Sequence, residues 1–464
     1  MAEVGDRFRV MELRSGRLVR RSPPPRRARS RRGPCGGADD RLSALPDDML
    51  LLVLARLRCA RGAARTGILS SRWRGLWAHL PDLTFRDVAP AEIEAARLLD
   101  AVVRFSPREL RFSYKSETNM RLPDLHLPCF PRATSIDIEW PWHSNICFMQ
   151  LRSGELSALE RLSLKCGSVI DFDTLITRCP CLRVLSVFIT RGSDIVISVH
   201  SVSLQTLEFK CNDAYTNSID IVTPKLKQLE LIFNTGKDFS VSISAPMVEK
   251  VVWIRQLPSG ELTTLFGFWR LDWMAVLLAD RFGDGDYCLE LGISTALDEW
   301  YYELDLTHEV EFAQEMEKLP VIDFSVLELS LTTDGHVFGA LLWRLLGFHQ
   351  IRAATKRLEV VLYSFSESCR EDCPCDEPKN WRCQSIPLTR LEEVHIKYFT
   401  GEEHEHDFLE LIFRSSPMLN RVTLTLSHVF GGCTKKIYNT FSPYPDVKGY
   451  VYSSSGKLVP RPSD

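Results

Sequence analysis

Four cysteines stand close together in "CREDCPCDEPKNWRC" (369–383): Cys369, Cys373, Cys375 and Cys383, spaced C-x3-C-x-C-x7-C. Four thiolates can hold a zinc ion in a tetrahedron, and that is the chemistry such a group would do. The spacing is not the paired C-x2-C of common zinc modules, and Pro374 and Pro378 place the run in a loop. The four remain candidate ligands, and no metal is assigned. A second group, "HEHD" (404–407), offers two His and an Asp. Positions i and i+2 of a helix point to different sides, so a charged helix start is the better reading. No G-x-x-x-x-G-K-[ST], G-x-S-x-G or H-E-x-x-H is present. The chain therefore reads as a non-catalytic protein with no cofactor, whose function comes from binding.

The elements that position these side chains belong to a chain of 464 residues, 45% hydrophobic and 25% charged. That is long enough for several domains or one repeat array. No apolar run nears the roughly 18 residues of a membrane span. The N-terminus has Arg but no apolar stretch after it, unlike a secretory signal. Nucleus, cytoplasm or both are the expected compartments, with the 14 cysteines kept mostly as thiols. The net charge of −3 is uneven: residues 1–40 hold 11 Arg and 5 acidic residues, a net of +6, which leaves −9 for the rest. "RRSPPPRRARSRRG" (20–33) has too few apolar residues to order itself, so 1–40 reads as a disordered tail. A nuclear-import or nucleic-acid patch is the sharper alternative.

"LPDDMLLLVLARLRCARGAARTGILSSRWRGLWAHL" (45–80) reads as short helices. Pro46 suits a first turn, and Asp47 and Asp48 place negative charge at its positive end. The helix is expected to reach about Leu57, with Leu50, Val53, Leu54 and Leu57 on one stripe and Met49, Leu51 and Leu52 outside it. A second helix is expected over Ala63–Leu69 and a third over Ser70–Ala78, capped by Ser70 or Ser71. A unit of this size has a marginal core. Each large apolar side chain is worth roughly 1.5–3 kcal/mol when buried, so something must cover the surplus leucines. Either the rest of the chain does so, or a partner does.

Leu45-Pro46, the Leu-rich helix and "ILSSRWRGLW" (68–77) resemble an F-box, over about residues 41–83. The Pro that often follows the first F-box helix is replaced here by "RLRCARGAAR". The resemblance implies a three-helix module that binds the Skp1-like adaptor of cullin–RING ubiquitin ligases. Leu45, Pro46, Leu50, Leu54, Ile68, Leu69, Trp73 and Trp77 would then divide between partner contact and internal core. Between Arg41 and Leu83, seven Arg against three Asp give +4, a basic rim that favours an acidic partner.

The middle of the chain repeats. "LERLSL" (159–164), "LRVLSV" (182–187), "LQTLEF" (204–209), "LKQLEL" (226–231) and "VEKVVW" (248–253) all read apolar-x-x-apolar-x-apolar, with starts 23, 22, 22 and 22 residues apart. Weaker copies are "ATSIDI" (133–138), "VLELSL" (326–331), "LEEVHI" (391–396) and "LNRVTL" (419–424). The period is that of the leucine-rich repeat, in which each unit gives one short strand and a return segment. Only Asn212 and Asn234 occupy the usual polar position after the motif, so the expected solenoid is irregular. The stretch from about 255 to 320 departs from the period. Between the buried leucines, two columns face outward: Ser163, Ser186, Glu208, Glu230 and Val252, and Lys165, Phe188, Lys210, Ile232 and Ile254. They are the candidate target-binding face.

"LTRLEEVHIKYFTGEEHEHDFLELIFRSSPMLNRVTLTLS" (388–427) reads strand, turn at Gly401, helix, strand, and resembles the FBD region of plant F-box proteins. The Cys-Pro-Cys…Trp stretch is similar to one in many grass F-box proteins. The expected fold is α/β: a tail (1–40), a three-helix F-box (41–88), a leucine-rich-repeat solenoid of parallel strands (89–385) and an FBD-like cap with a C-terminal tail (386–464). The resemblance implies the substrate-recognition subunit of an SCF-type ligase, with a Skp1-like adaptor, a cullin reached through it, and a target protein as partners. Neither membrane nor nucleic acid is expected as a partner. The alternative is a repeat scaffold with no ligase association.

Overall fold

The computed structural model describes residues 45–88, 94–114, 123–148, 156–170, 172–192, 195–257, 263–265, 269–278, 286–295, 308–309, 312–320, 323–363, 369, 373–431 and 433–461. The Arg-rich segment expected over 1–40 lies outside them, as do the first four residues (282–285) of "FGDGDYCLELGIST" and all of "DEWYYELDL". No helix among the described residues is long and apolar enough to cross a membrane. The fold is mixed α/β with a mostly parallel sheet, divided into two units. One comprises residues up to Arg191 with Ser201–Leu204, and the other Gly192–His200 and Gln205 onward.

In the first unit, α1 (Asp47–Ala55) starts after Pro46 with Asp47 and Asp48 in its first turn. It ends two residues short of Leu57, because Arg58 turns the chain at φ +49°. After α2 (Ala60–Arg65) comes one 3-10 turn, Thr66–Ile68. The third helix expected over Ser70–Ala78 does not form. Turns fill 71–75, and Gly75 at φ +90° leads into a 3-10 turn over Leu76–His79. Arg72 fastens this turn segment to α1, donating to Asp47 Oδ1 from Nε at 2.9 Å and from Nη2 at 2.7 Å. The pair is exposed and adds little stability.

The same unit carries β1 (Asp82–Val88), α3 (Glu94–Val102), β2 (Glu109–Tyr114), β3 (Leu125–His126), β4 (Ser135–Glu139), β5 (Asn145–Cys147), β6 (Arg161–Cys166), β7 (Ser168–Ile170), α4 (Phe172–Arg178) and β8 (Val184–Ile189). Strands β1, β2, β4, β6 and β8 pair in parallel in that order. The short β3, β5 and β7 form a second parallel ladder on the return stretches. The repeat motif explains both burial and register. Leu162 and Leu164 of β6 lie beside Leu185 and Val187 of β8, and all four are buried. Leu159 and Leu182, the first motif positions, are buried just before their strands. No single turn of chain can hide such a row, so stacking neighbours buries it.

The second unit holds β9 (Ile195–His200), β10 (Thr206–Val222), β11 (Gln228–Ser244), β12 (Lys250–Gln256), β13 (Thr263–Leu265), β14 (Trp269–Leu278), β15 (Tyr287–Thr295), β16 (His308–Glu309), α5 (Phe312–Glu317), β17 (Val326–Thr332), α6 (Gly339–Gly347), α7 (His349–Ala354), β18 (Arg357–Tyr363), β19 (Glu393–Phe399), α8 (Glu403–Ser415), β20 (Arg421–Leu426), α9 (Thr434–Phe441) and β21 (Lys448–Tyr452). The expected pattern of one short strand and a return is modified in β10 and β11. Each runs 17 residues, and their register breaks between Lys210 and Tyr215, so the return stretch is itself a strand. The aperiodic region is an antiparallel insertion: β12 pairs β14 and β14 pairs β15 antiparallel, and β15 rejoins β17 in parallel. From β17 to β21 every pairing is parallel, with α6, α7, α8 and α9 in the connections. The expected strand–helix–strand of 388–427 is present as β19, α8 and β20, but β21 pairs beyond β20, so that segment is not the last rung.

A charge occupies an inward position of β12. Arg255 follows Val251 and Trp253 on the buried side of β12 and is 3% exposed. It pairs with Glu315 of α5, donates from Nε to Thr235 Oγ1 at 2.9 Å, and lies 4.7 Å from the Phe239 ring centroid. Lys318 also donates to Glu315, at 2.8 Å.

Candidate functional site

The eight N-terminal candidates separate by burial. Leu50, Leu54 and Trp73 are interior and so take the core side of that division: α1 turns the two leucines toward its own unit, and Trp73 is buried from the turn over 71–75. Trp77 is half-buried, edge-on to Phe105 at 5.0 Å, and Leu45 is half-buried. Pro46, Ile68 and Leu69 are exposed, the last two at 75% and 70%. Three residues outside the original eight join them on α1 — Met49, Leu52 and Val53, with Leu52 60% exposed — and Leu57 follows just beyond it. Six of the eight exposed large apolar residues described in this unit fall between Met49 and Leu69. Around them Arg56, Arg58, Arg61, Arg65 and Arg74 are exposed.

The ten strand-face candidates are all half-buried. In the first unit Ser163 lies beside Ser186 and Lys165 beside Phe188, with Lys165 also bonded to Glu139 at 2.9 Å. In the second unit Glu208, Glu230 and Val252 stand in one row, and Lys210, Ile232 and Ile254 in the next. Lys210 pairs with Glu230 at 2.6 Å. Asn234 donates to the Asn212 carbonyl, so the two polar positions form a rung of their own. These rows present alternating charge and apolar surface, which suits a protein or peptide more than a small anion.

The His residues of "HEHD" do not converge. His404 lies edge-on to Phe338 at 5.2 Å, and His406 edge-on to Phe399 at 5.4 Å. Glu405 is buried and serves the backbone instead, accepting from the amides of Thr400, Gly401 and Glu402 at 2.9, 2.7 and 3.2 Å. That is a helix cap, and these side chains do not come together as a ligand group among the described residues. Of the four cysteines, Cys369, Cys373 and Cys375 lie together with His336, a residue absent from the sequence-based candidates. Cys383 is exposed and outside the group. Elsewhere burial pushes the Cys166 and Cys179 thiols up to about 12, which leaves them inert as nucleophiles.

No family model and no solved structure matches the chain. A putative F-box/FBD/LRR-repeat protein of Arabidopsis thaliana is 27% identical over 228 residues, covering 45% of this chain and 51% of the relative. An F-box/FBD/LRR-repeat protein of the same plant is 27% identical over 255 residues, covering 44% and 51%. A putative F-box protein from it is 44% identical over 57 residues, 12% of each chain. The chain is a relative of the plant F-box/FBD/LRR-repeat proteins. It spans about half the length of the two such relatives that it matches over the longer stretches.

In the C-terminal strand–helix–strand of this F-box/FBD/LRR relative, two adjacent buried groups, His404 and Glu405, respond to acid in opposite directions. Burial, helped by the Arg382 charge and opposed by Asp407 and Asp376, depresses His404 from 6.5 to about 4. A base whose folded pKa lies below its unfolded value binds fewer protons folded than unfolded between those values. Its stability is complete above 6.5 and is lost as pH falls toward 4. From pH 7 to pH 5 the single residue should cost about 2 kcal/mol. Glu405 beside it, pushed up to about 7 by burial, gains a similar amount over the same interval, so the His404 contribution is read by difference: between pH 7 and pH 5 the urea unfolding free energy of His404→Phe should rise by about 2 kcal/mol relative to that of the unmodified chain.

Proposed function

We propose that the chain is the substrate-recognition subunit of an SCF-type ubiquitin ligase, acting in nucleus, cytoplasm or both. Its N-terminal helices bind a Skp1-like adaptor and through it a cullin. The observation that carries this reading is the uncovered apolar set of Met49, Leu52, Val53, Leu57, Ile68 and Leu69. Apolar side chains exposed in such number mark a surface that another molecule covers. The exposed arginines around them favour an acidic partner and speed its encounter.

The strand faces around Ser163, Lys165, Ser186 and Phe188, and around Glu208, Lys210, Glu230, Ile232, Val252 and Ile254, hold the target protein. The chemistry is proximity: a target lysine is held near a ubiquitin-charged enzyme, so that a bimolecular transfer becomes nearly intramolecular. No side chain of this protein reacts. Support comes also from the F-box names of its relatives.

Co-expression with a plant Skp1-type adaptor tests the reading. A one-to-one complex in size-exclusion chromatography with light scattering is the expected result. A soluble, folded chain that elutes apart from the adaptor overturns it.

A further inference from the structure

His336 and three of the clustered cysteines come from two separate loops of the second unit. His336 follows β17 in a turn whose Asp334 and Gly335 both have left-handed backbone, at φ +44° and +79°. Its own amide donates to the Thr333 carbonyl at 2.8 Å, which locks the turn. Cys369 is 33 residues downstream, and its amide reaches the Gly335 carbonyl at 3.4 Å. Cys375 sits on a 3-10 turn, Pro374–Asp376. That turn is pinned from outside the cluster. Asp376 accepts from Trp381 Nε1 at 2.9 Å and from Arg382 at 2.8 Å, and Arg382 reaches Asp407 of α8 at 2.7 Å. Trp381 is fully buried against Gly339, where any Cβ would overlap its ring.

The sulfurs and the imidazole nitrogen lie within 4.8 Å of one another. Cys369 Sγ is 3.7 Å from Cys375 Sγ, and Cys373 Sγ is 3.4 Å from His336 Nδ1. A zinc tetrahedron with Zn–S near 2.3 Å and Zn–N near 2.05 Å has S–S edges of about 3.8 Å and S–N edges of about 3.6 Å. Both separations therefore already match tetrahedral edges. A disulfide needs its sulfurs about 2.05 Å apart, and the 3.7 Å pair is far from that. The Val337 backbone also hydrogen-bonds Cys375. Such outer contacts orient ligands in metal sites.

We propose that His336, Cys369, Cys373 and Cys375 form a closed Cys3His site for one structural zinc ion, with Cys383 outside it. Binding releases the three thiol protons to solvent, and the ion takes three thiolates and a neutral imidazole. All four positions are then filled by protein, which leaves no opening for catalysis. The ion fastens the 369–383 loop to the turn after β17. This stands apart from the adaptor reading, since a chain that bound no adaptor would still take up zinc.

The test is metal analysis of the purified full chain, followed by Co2+ titration of the zinc-stripped protein. One zinc per chain is expected, and Co2+ should give the visible bands of a tetrahedral site with thiolate-to-cobalt charge transfer. His336→Ala and Cys373→Ser should each lose the zinc, and Cys383→Ser should keep it. The cobalt spectrum of the unmodified chain decides the matter even where a variant fails to fold. No retained zinc together with a featureless cobalt titration overturns the proposal. So does loss of zinc in Cys383→Ser equal to that in Cys373→Ser, or a Cys369–Cys375 disulfide found by mass spectrometry of the freshly purified chain.

Discussion

Arg255→Ala is expected to cost the fold about 3–5 kcal/mol in urea unfolding at pH 7, the usual cost of stranding one member of a buried ion pair. Glu315 is 6% exposed, so its carboxylate would have little water to turn to. Lys318 remains as a partner at 2.8 Å but is itself partly exposed, and it replaces neither the guanidinium nor its bond to Thr235. The pH dependence should change sign with it. In the intact protein burial raises the Glu315 pKa, but Arg255 and Lys318 outweigh it and hold the group below the ordinary carboxylate range. Its contribution is present above the unfolded pKa and lost as pH falls through the folded one. Without Arg255 burial dominates, the folded pKa rises above the unfolded value, and acid should partly restore the variant. The double change Arg255→Met with Glu315→Leu should be less destabilised than Arg255→Ala, because no charge is left unpaired. A loss below about 1 kcal/mol for the single variant would contradict this account of the pair.

The second large effect concerns the uncovered leucines. Leu52→Asp with Ile68→Asp should weaken capture of a Skp1-type adaptor by at least about 100-fold. Two side chains worth roughly 1.5–3 kcal/mol each on burial are removed, and 100-fold corresponds to about 2.7 kcal/mol. Both residues are exposed in the chain itself, so its unfolding free energy should change by no more than about 0.5 kcal/mol. Leu50→Ala is the contrasting variant. Leu50 is fully buried, and its truncation should cost about 2–5 kcal/mol of stability. An isothermal titration on each variant, beside its urea curve, separates docking from folding. Unchanged capture by the double Asp variant would show that the adaptor, if it binds, uses another surface.

How much of this was legible in the residues can be read position by position. The apolar-x-x-apolar-x-apolar motif located the strands that contain it, because its last two apolar positions are inward rungs of the ladder. It was missed where chemistry substituted for hydrophobicity. In β18 the first position is Thr355, buried with its hydroxyl donating to the Ile351 carbonyl at 2.8 Å. In β21 the middle position is Gly449, packed under Phe441. For β1 the signal was complete, since Leu80, Leu83 and Phe85 are all buried, but it lay in the shadow of the helical reading of 45–80. The return halves of β10 and β11 carry the period of two in "SIDIV" and "SVSIS", a signal that the 22-residue spacing obscured.

The candidate site was less legible, for a physical reason. Periodicity puts Leu50, Val53, Leu54 and Leu57 on one stripe of the first helix; Leu50 and Leu54 are buried, but Val53 and Leu57 are exposed. It cannot say which remaining side chains find cover, because cover comes from segments far along the chain. The same limit hid His336 from its cysteines and Glu315 from Arg255, a pair 60 residues apart. A cation at an inward strand position does signal that a buried acid exists somewhere. The turns of 71–75, by contrast, were within reach: Gly75 in "SRWRGLW" is a helix breaker, and it ended the third helix before it began.

The central claim is that the exposed apolar side chains of Met49, Leu52, Val53, Leu57, Ile68 and Leu69 are left for a partner to cover, and hydrogen exchange on the full chain tests it most directly. With a saturating Skp1-type adaptor, amides of α1, α2 and the turn through Leu69 should exchange at least tenfold more slowly, while β9 to β12 remain as they were. Exchange in 45–69 that is the same with and without adaptor, or slowed only in the strands, would contradict it.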